Sequence, residues 1–517
     1  MAETLGPNFV RRYEPGSQAR VALVNGRILD VVHGCYFAGT SVILQGGKIE
    51  SVSGPAGEPT GIWPDYRIDL QGKTVLPTLY NTHCHLVASG PTMIPGLRER
   101  GYIKRHAELQ RDRDMAECLA HGITHIRDAW EPDLCENRAL KERISKGGIS
   151  GPRILQAVAV GLPGSYLQEK ACLMSKLLMP PNPDTSLDHA GCVTFPANAS
   201  EQQVRDAVDI AIDERGADVI KIGDQATSLM TRRSIPTMTV DQLSAVADQA
   251  ARRGVQSMMH HSSVESFRRG TQAGVSSLEH EPWDALLTQA DVEAFRGTGH
   301  IIDPTISVFY GMLSWKSARD RANGHPDLDR LTVFRDKTYP FADIADEYFI
   351  PELRASVMNS YRKCAGGRPR MLGIVDMSSM FAWDTRAAIA FENIRTLYEH
   401  GVPMTTANDT IPPCTPAMMN LELHMLDHVL RGKPDGKQLS GAEAVRIATI
   451  NSARSLGLDR EFGSIESGKT ADLIILDGDP LEDFSLIGSQ VDALFMDGVL
   501  VINNCGLEVA SNRTAQS

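Results

Sequence analysis

Six residues whose types suit metal ligation lie scattered between positions 83 and 409: His83, His85, Lys221, His260, His280 and Asp409. The first two close the apolar run Val75-Leu-Pro-Thr-Leu-Tyr-Asn-Thr-His-Cys-His-Leu86. In an extended strand, residues i and i+2 project to one side, so both imidazoles can aim at one point and form half of a metal site. Cys84, between them, turns the other way. A His-x-His pair alone is equally a core or surface feature, and the other four residues give it meaning. Two divalent ions held close together bind one hydroxide between them and lower its pKa toward neutrality, which makes a nucleophile. Such a pair needs imidazoles, anionic oxygens and one group that reaches both ions. Lys221 sits among Val219, Ile220 and Ile222. Burial there would depress its pKa and favour the free amine, which condenses with carbon dioxide to a carbamate, a carboxylate-like bridge. Asp409, in Thr405-Thr-Ala-Asn-Asp-Thr410, can ligate one ion, accept the proton of the bridging water and pass it to a leaving group. His261 alternates outward from His260 and reads as structural or solvent-facing.

These residues need a scaffold that converges them. Short apolar runs occur at Val75 onward, Ile123-Thr-His-Ile-Arg-Asp, Arg153-Ile-Leu-Gln-Ala-Val-Ala-Val, Asp218-Val-Ile-Lys-Ile, Gln256-Ser-Met-Met-His, Ser276-Ser-Leu-Glu-His, His300-Ile-Ile-Asp-Pro-Thr and Val402-Pro-Met-Thr-Thr-Ala. Segments of helical spacing such as 201–215 and 240–253 lie between them. The pattern predicts an α/β fold, a (β/α)8 TIM-type barrel, whose catalytic groups belong at the C-terminal ends of the strands. Five of the six residues end such a run, and Lys221 stands one residue from the end of its own. Runs broken by Asn-Gly, Gly-Gly and Asp-Gly mark both termini as hairpin-rich. They predict a small composite β-sandwich from 1–75 and 460–517, with the barrel over 76–459. One connection, from Ile306 to Met404, spans about a hundred residues where a helix and two loops would suffice. The insertion, around 310–395, carries Tyr310, Trp315, Tyr339, Tyr348, Tyr361, Trp383 and the basic Arg368-Pro-Arg370. It reads as a lid or substrate wall, or else as an oligomer contact. Its aromatic content favours an aromatic or apolar substrate. His125, Arg127 and Tyr310 are further pocket candidates to which no catalytic role is assigned.

Composition limits the alternatives. With 517 residues, 42% hydrophobic and 22% charged, the chain can bury a substantial core. A formal net charge of −12 and a pI near 5.7 argue against nucleic acid or an anionic membrane as partner and leave a small molecule. Nine dispersed cysteines without Cys-x-x-Cys spacing fit free thiols in a reducing compartment. With neither a signal-like N-terminus nor a run of about 18 apolar residues, the expected location is the cytoplasm.

Taken together, the motifs resemble those of the metal-dependent amidohydrolase superfamily, in its binuclear branch with a strand-four lysine. His83-Cys-His-Leu86 matches the first-strand motif, and Gly216-Ala-Asp-Val-Ile-Lys221 the strand-four motif. Gly274-Val-Ser-Ser-Leu-Glu-His280 resembles the strand-six segment, and His260 stands at the strand-five position. Gly401-Val-Pro-Met, leading to Asp409, resembles strand eight, and Gly463-Ser-Ile-Glu-Ser-Gly-Lys-Thr-Ala-Asp-Leu473 the return strand. The resemblance runs from about residue 20 to 502. It implies N6-carboxylation of Lys221, two divalent ions held by the six residues, Asp409 as catalytic proton shuttle, and a homo-oligomer. The donor set suits zinc, with cobalt, manganese or iron compatible. The texture is similar to bacterial prolidases, imidazolonepropionases, ochratoxin-cleaving amidases and the molinate and phenylurea hydrolases. Prolidase-like members often carry a Gly-Gly loop after the lysine and Gly-Gly-His after strand three. Here Gly223-Asp-Gln-Ala-Thr227 and Gly161-Leu-Pro-Gly-Ser-Tyr166 stand instead. The expected activity is hydrolysis of an amide, urea or carbamate C–N bond. The alternatives are a dipeptidase of prolidase type, a heterocycle deaminase and a non-catalytic scaffold. A deaminase would place glutamate three residues after the strand-five histidine, where this chain has Ser263.

Overall fold

The computed structural model describes residues 18–52, 64–86, 97–131, 134–168, 191–228, 233–309, 348–356, 370–371, 375–376, 383–410, 414–432 and 436–511. Tyr310, Trp315, Tyr339, Tyr361 and Arg368 fall outside them, and with them most of the expected lid.

Seven strands follow one another around a parallel barrel: Leu79–Cys84, Ile123–Asp128, Arg153–Gly161, Val219–Asp224, Gln256–His261, Ser277–Glu279 and Ile301–Asp303. Each pairs in parallel with the next. Helices cover the outside, so these strands are buried on both faces and read as unbroken apolar runs. The helices begin where side-chain oxygens can satisfy their first free N–H groups. Ser200 with Gln203 caps Glu201–Asp213, and Thr239 with Gln242 caps Val240–Arg252, both as capping boxes. Their apolar stripes, Val204, Ala207, Val208 and Ala211 on the first, face the barrel.

The eighth position differs from the expected full strand. Residues 402–407 make a single bridge, Met404 to Ile302. Pro403 has no N–H to give, though its carbonyl accepts from Ile302 N at 3.1 Å. On the other side the Thr82 amide donates to Thr406 O at 3.0 Å, and the Asp409 amide to His83 O at 2.8 Å. The barrel therefore closes, with its thinnest ladder between the seventh and first strands. An additional short strand, Cys192–Thr194, flanks Arg153–Gly161.

Both termini build the second layer. A five-stranded sheet contains Val21–Val24, Val42–Gln45, Lys48–Val52, Tyr66–Asp69 and Val509–Ser511. A six-stranded sheet contains Arg27–Asp30, Cys35–Tyr36, Thr74–Pro77, Leu473–Leu476, Ala493–Met496 and Val499–Asn503. Alternation in the second sheet divides its side chains between two cores. Val75, Leu473, Ile475 and Phe495 join the core between the sheets. Leu76, Ile474, Leu476 and Leu494 join the barrel core. Gly122 marks the contact: it has φ +77°, and a Cβ there would lie 2.9 Å from Ile474. Among the described residues, no helix is long and apolar enough to cross a membrane.

Candidate metal centre

The side chains that end the strands meet at one mouth of the barrel. His83 Nε2 lies 3.0 Å and His85 Nε2 3.1 Å from the same oxygen of Asp409. The His83 and His280 rings are 5.0 Å apart, and His280 and His260 are 4.9 Å apart. One donor atom from each of His83, His280 and Asp409 falls within 4.8 Å of the other two. Lys221, 2% exposed, lies on the fourth strand opposite Met258 of the fifth. Its position is two residues before the one that pairs with His260, Gly223. Five of the six sequence-predicted residues are therefore brought to one place, and the sixth, Lys221, is buried on the strand beside His260.

Backbone shape aims two of them. His280 has φ 68° and Asp409 φ 53°, left-handed conformations that cost side-chain-bearing residues energy and persist where their surroundings impose them. Around Asp409, that surrounding is a set of bonds to the first strand. Asn81 donates to Asn408 Oδ1 at 3.0 Å, and Thr410 bridges both His85 N and His85 O at 2.7 and 2.9 Å.

The imidazoles are held from behind. His83 Nδ1 bonds Glu279, and His85 Nδ1 donates to Trp130 O at 2.8 Å. Each partner can only accept, so each ring carries a proton on Nδ1 and turns Nε2 to the centre as the nitrogen available to ligate. Burial lowers His85, but the Asp409 oxygen facing its Nε2 outweighs that and raises it to about 9. Burial drives the pKa of His260 well below its ordinary value, with His280 and Lys221 adding to the effect. Burial likewise takes His280 to about 3, so both rings are neutral. Burial lowers the Lys221 ammonium to about 8 against the opposing pull of Glu279 and Asp409, which makes the free amine accessible. Burial pushes the Asp409 carboxyl up, but His83 and His85 outweigh it and keep it ionised. Four imidazoles, neutral at His260 and His280, with an ionised carboxylate and a desolvated amine form a donor set that fits divalent ions, whose binding would displace the proton that Asp409 stabilises on His85.

The sequence offered Arg127 as a pocket residue, whereas it is fully buried in a layer beneath the centre that sequence reasoning missed. Arg127 donates to Thr82 O at 2.5 Å, Asp303 at 2.5 Å and Glu279 at 3.2 Å. Glu279 in turn holds His83. The contacts join four strands, and nothing local in the sequence announces them. Asp128 ends the second strand and clusters with His85 and Glu131 within 4.8 Å. It accepts from Asn137 at 2.7 Å and from the Trp130 amide at 3.2 Å, which pins the turn that presents Trp130 O to His85. That it ends an apolar strand was the available signal. Three further residues singled out in the sequence lie away from the chemistry: a pocket candidate, an aromatic of the insertion and the neighbour of His260. His125 packs between Tyr80 and Phe462, 5.2 and 4.5 Å between rings. Tyr348 stacks on His121 rather than lining a substrate wall. His261 is buried against Phe267, so its solvent-facing alternative is wrong: helix Val264–Ala273 covers that side of the strand.

The amidohydrolase family model matches residues 74–501. Imidazolonepropionase of Picrophilus torridus is 42% identical over 71 residues, 13% of this chain and 18% of that protein. N-substituted formamide deformylase of Arthrobacter pascens is 30% identical over 138 residues, 25% of each chain. The chain thus aligns with a quarter or less of these curated relatives. Among solved structures, the A. niger ochratoxinase has a TM-score of 0.64 at 18% identity, covering 95% of this chain and 97% of that one. A prolidase in complex with N-methylphosphonate-L-proline has a TM-score of 0.61 at 22% identity, covering 94% and 100%.

Proposed function

The chain belongs to the amidohydrolase family, and from that premise we propose that it is a binuclear metal hydrolase cleaving an amide, urea or carbamate C–N bond of a small molecule. The observation that carries the reading is the convergence of His83, His280 and Asp409 donor atoms within 4.8 Å, with His85, His260 and a desolvated Lys221 around them. His83, His85, His260, His280 and Asp409 would hold two ions, with Lys221, as its carbamate, between them; zinc suits these donors. When bound, the ions supply a hydroxide nucleophile at neutral pH and polarise the scissile carbonyl. Asp409, ionised and buried, takes the proton released by the nucleophile and delivers it to the leaving nitrogen. Glu279 and Trp130 O keep their imidazoles in the ligating tautomer throughout.

The geometry supports an aromatic or apolar substrate. Tyr166 stacks face to face on His260 at 4.2 Å, and Trp283 stands edge-on to the same ring at 6.5 Å with Phe309 behind it at 5.9 Å. Ser263, where a deaminase would need an acid, caps helix Val264–Ala273 through the Ser266 amide at 3.1 Å.

Elemental analysis of protein purified without chelator, together with a panel of anilides, aryl ureas, N-acyl aromatics and dipeptides, tests the reading. Two ions per chain and turnover of the aromatic members are expected. Lys221→Ala should lose at least about a hundredfold in kcat/KM, roughly 2.7 kcal/mol of transition-state stabilisation, and one ion. A fully active Lys221→Ala enzyme carrying two ions would remove the bridging role, and turnover of dipeptides alone would overturn the aromatic preference.

A further inference from the structure

His83 is held by Glu279 of the strand-six motif and His85 by the carbonyl of Trp130, whereas His260 is held by Gln225, from the loop whose sequence differs from the prolidase-like pattern. Gln225 is 5% exposed, and its amide has both ends engaged. Nε2 donates to Thr227 O at 2.5 Å, and Oε1 accepts from His260 Nε2 at 3.1 Å. A carbonyl oxygen has no hydrogen to give, so Thr227 O fixes which end of the amide is NH2. The end left for His260 is the oxygen, which can only accept. The ring must then carry its proton on Nε2, and its lone pair is on Nδ1. The other departing loop, after the third strand, supplies Tyr166, whose ring lies on His260 with an interplanar angle of 11°. Gly223 permits that approach: a Cβ there would lie 2.9 Å from Leu167 and 3.2 Å from Tyr166. One loop sets the protonation of the ring, and the other sets its plane.

We propose that Gln225 is a positioning residue for the metal centre, holding His260 in the Nε2–H tautomer so that Nδ1 is the ligating nitrogen, with Tyr166 fixing the ring's orientation. The proposal rests on the metal-hydrolase reading for its purpose, though not for its geometry. It deepens that reading by making the two unusual loops one device for the strand-five ligand. Outer partners of this kind typically contribute about 10–100-fold to metal affinity.

Two measurements test it. In metal-free protein with 15N-labelled histidine, the His260 resonances, assigned by difference against His260→Gln, should show the Nε2–H tautomer. Gln225→Leu should show a mixture of tautomers, and Gln225→Glu, which keeps an acceptor, should restore the single form. Zn2+ affinity by chelator competition should fall about 10–100-fold in Gln225→Leu and return to within a few-fold of the parent in Gln225→Glu. Gln225→Met replaces the leucine variant if that one does not fold. A wild-type His260 in the Nδ1–H form, or a folded apolar variant with unchanged tautomer and Zn2+ affinity, overturns the proposal. Parent protein that takes up no metal refutes the hydrolase reading instead, and the tautomer measurement still decides the role of Gln225.

Discussion

Arg127 carries a charge where water cannot reach it, and four acceptors share it: Thr82 O, Ser455 O, Glu279 and Asp303. Asp303 and Glu279 are themselves fully buried, so each would stand as an uncompensated carboxylate without the guanidinium. Thr82 and Ser455 hydroxyls add bonds to Asp303 at 2.8 and 3.2 Å, which satisfy its remaining lone pairs but bring no positive charge. Burial raises the Glu279 carboxyl, and Arg127 with His83 brings it well below the ordinary carboxylate range. The arginine therefore acts on His83 through Glu279 without touching the centre. Arg127→Met should cost about 3–5 kcal/mol in denaturant unfolding, because it breaks a buried network from one side. It should also weaken metal binding, since a Glu279 relieved of its cation takes up a proton and no longer accepts from His83 Nδ1. Loss of stability with unimpaired Zn2+ affinity would show that the network supports the barrel alone.

At the scale of elements, the loops that follow the third and fourth strands meet at His260, and Gly223 is where they approach. Gly223→Ala introduces a Cβ 2.9 Å from Leu167 Cγ and 3.2 Å from Tyr166 Cδ1, so the third-strand loop must withdraw. The expected result is a several-fold rise in KM for aromatic amides with a smaller change for a compact amide, measured on the same preparation. Equal effects on both would mean that Tyr166 does not meet the substrate. The same elements show what the chain discloses before folding. A residue at the mouth of a barrel must follow a short apolar run, so the placement of His83, His85, His260 and His280 was legible, and that of Lys221 nearly so. Eight-fold alternation was legible because parallel strands buried on both faces leave unbroken apolar runs. The eighth segment, 402–407, reads as a strand because its composition is apolar, yet Pro403 limits it to one bridge. Arg127, Glu279 and Asp303 were not legible as a unit, because each touches the others only after strands two, six and seven have been brought side by side. Gln225 escaped for a related reason: its partner is thirty-five residues away, and its meaning depends on a hydrogen bond's direction.

For the whole molecule, the position of the centre relative to the barrel's weakest seam has a mechanical consequence. Around most of the barrel, neighbouring strands share several register pairs, as between the fourth and fifth strands from Val219–Gln256 to Asp224–His261. The eighth segment has one bridge on one side and a few amide bonds to the first strand on the other. Asp409 lies just past that segment and reaches His83 of the first strand, His85 one residue beyond that strand, and His280 across the seam, within 4.8 Å. Ions bound there would clasp the barrel shut across its sparsest pairing. The sandwich, by contrast, is tied by register pairs from both termini, Leu473–Pro77 and Ser511–Tyr66 among them, and has no stake in the metal. Removing metal should then do more than abolish activity. Occupancy at a hundred times Kd stabilises the native state by about 2.7 kcal/mol, so chelation should lower the thermal midpoint by several degrees. Amide exchange should quicken first at 402–410 and 83–86, while the strands of the sandwich keep their protection. Uniform exchange after chelation would mean that the seam is closed by packing of the helices outside it, and that the centre contributes chemistry without holding the barrel together.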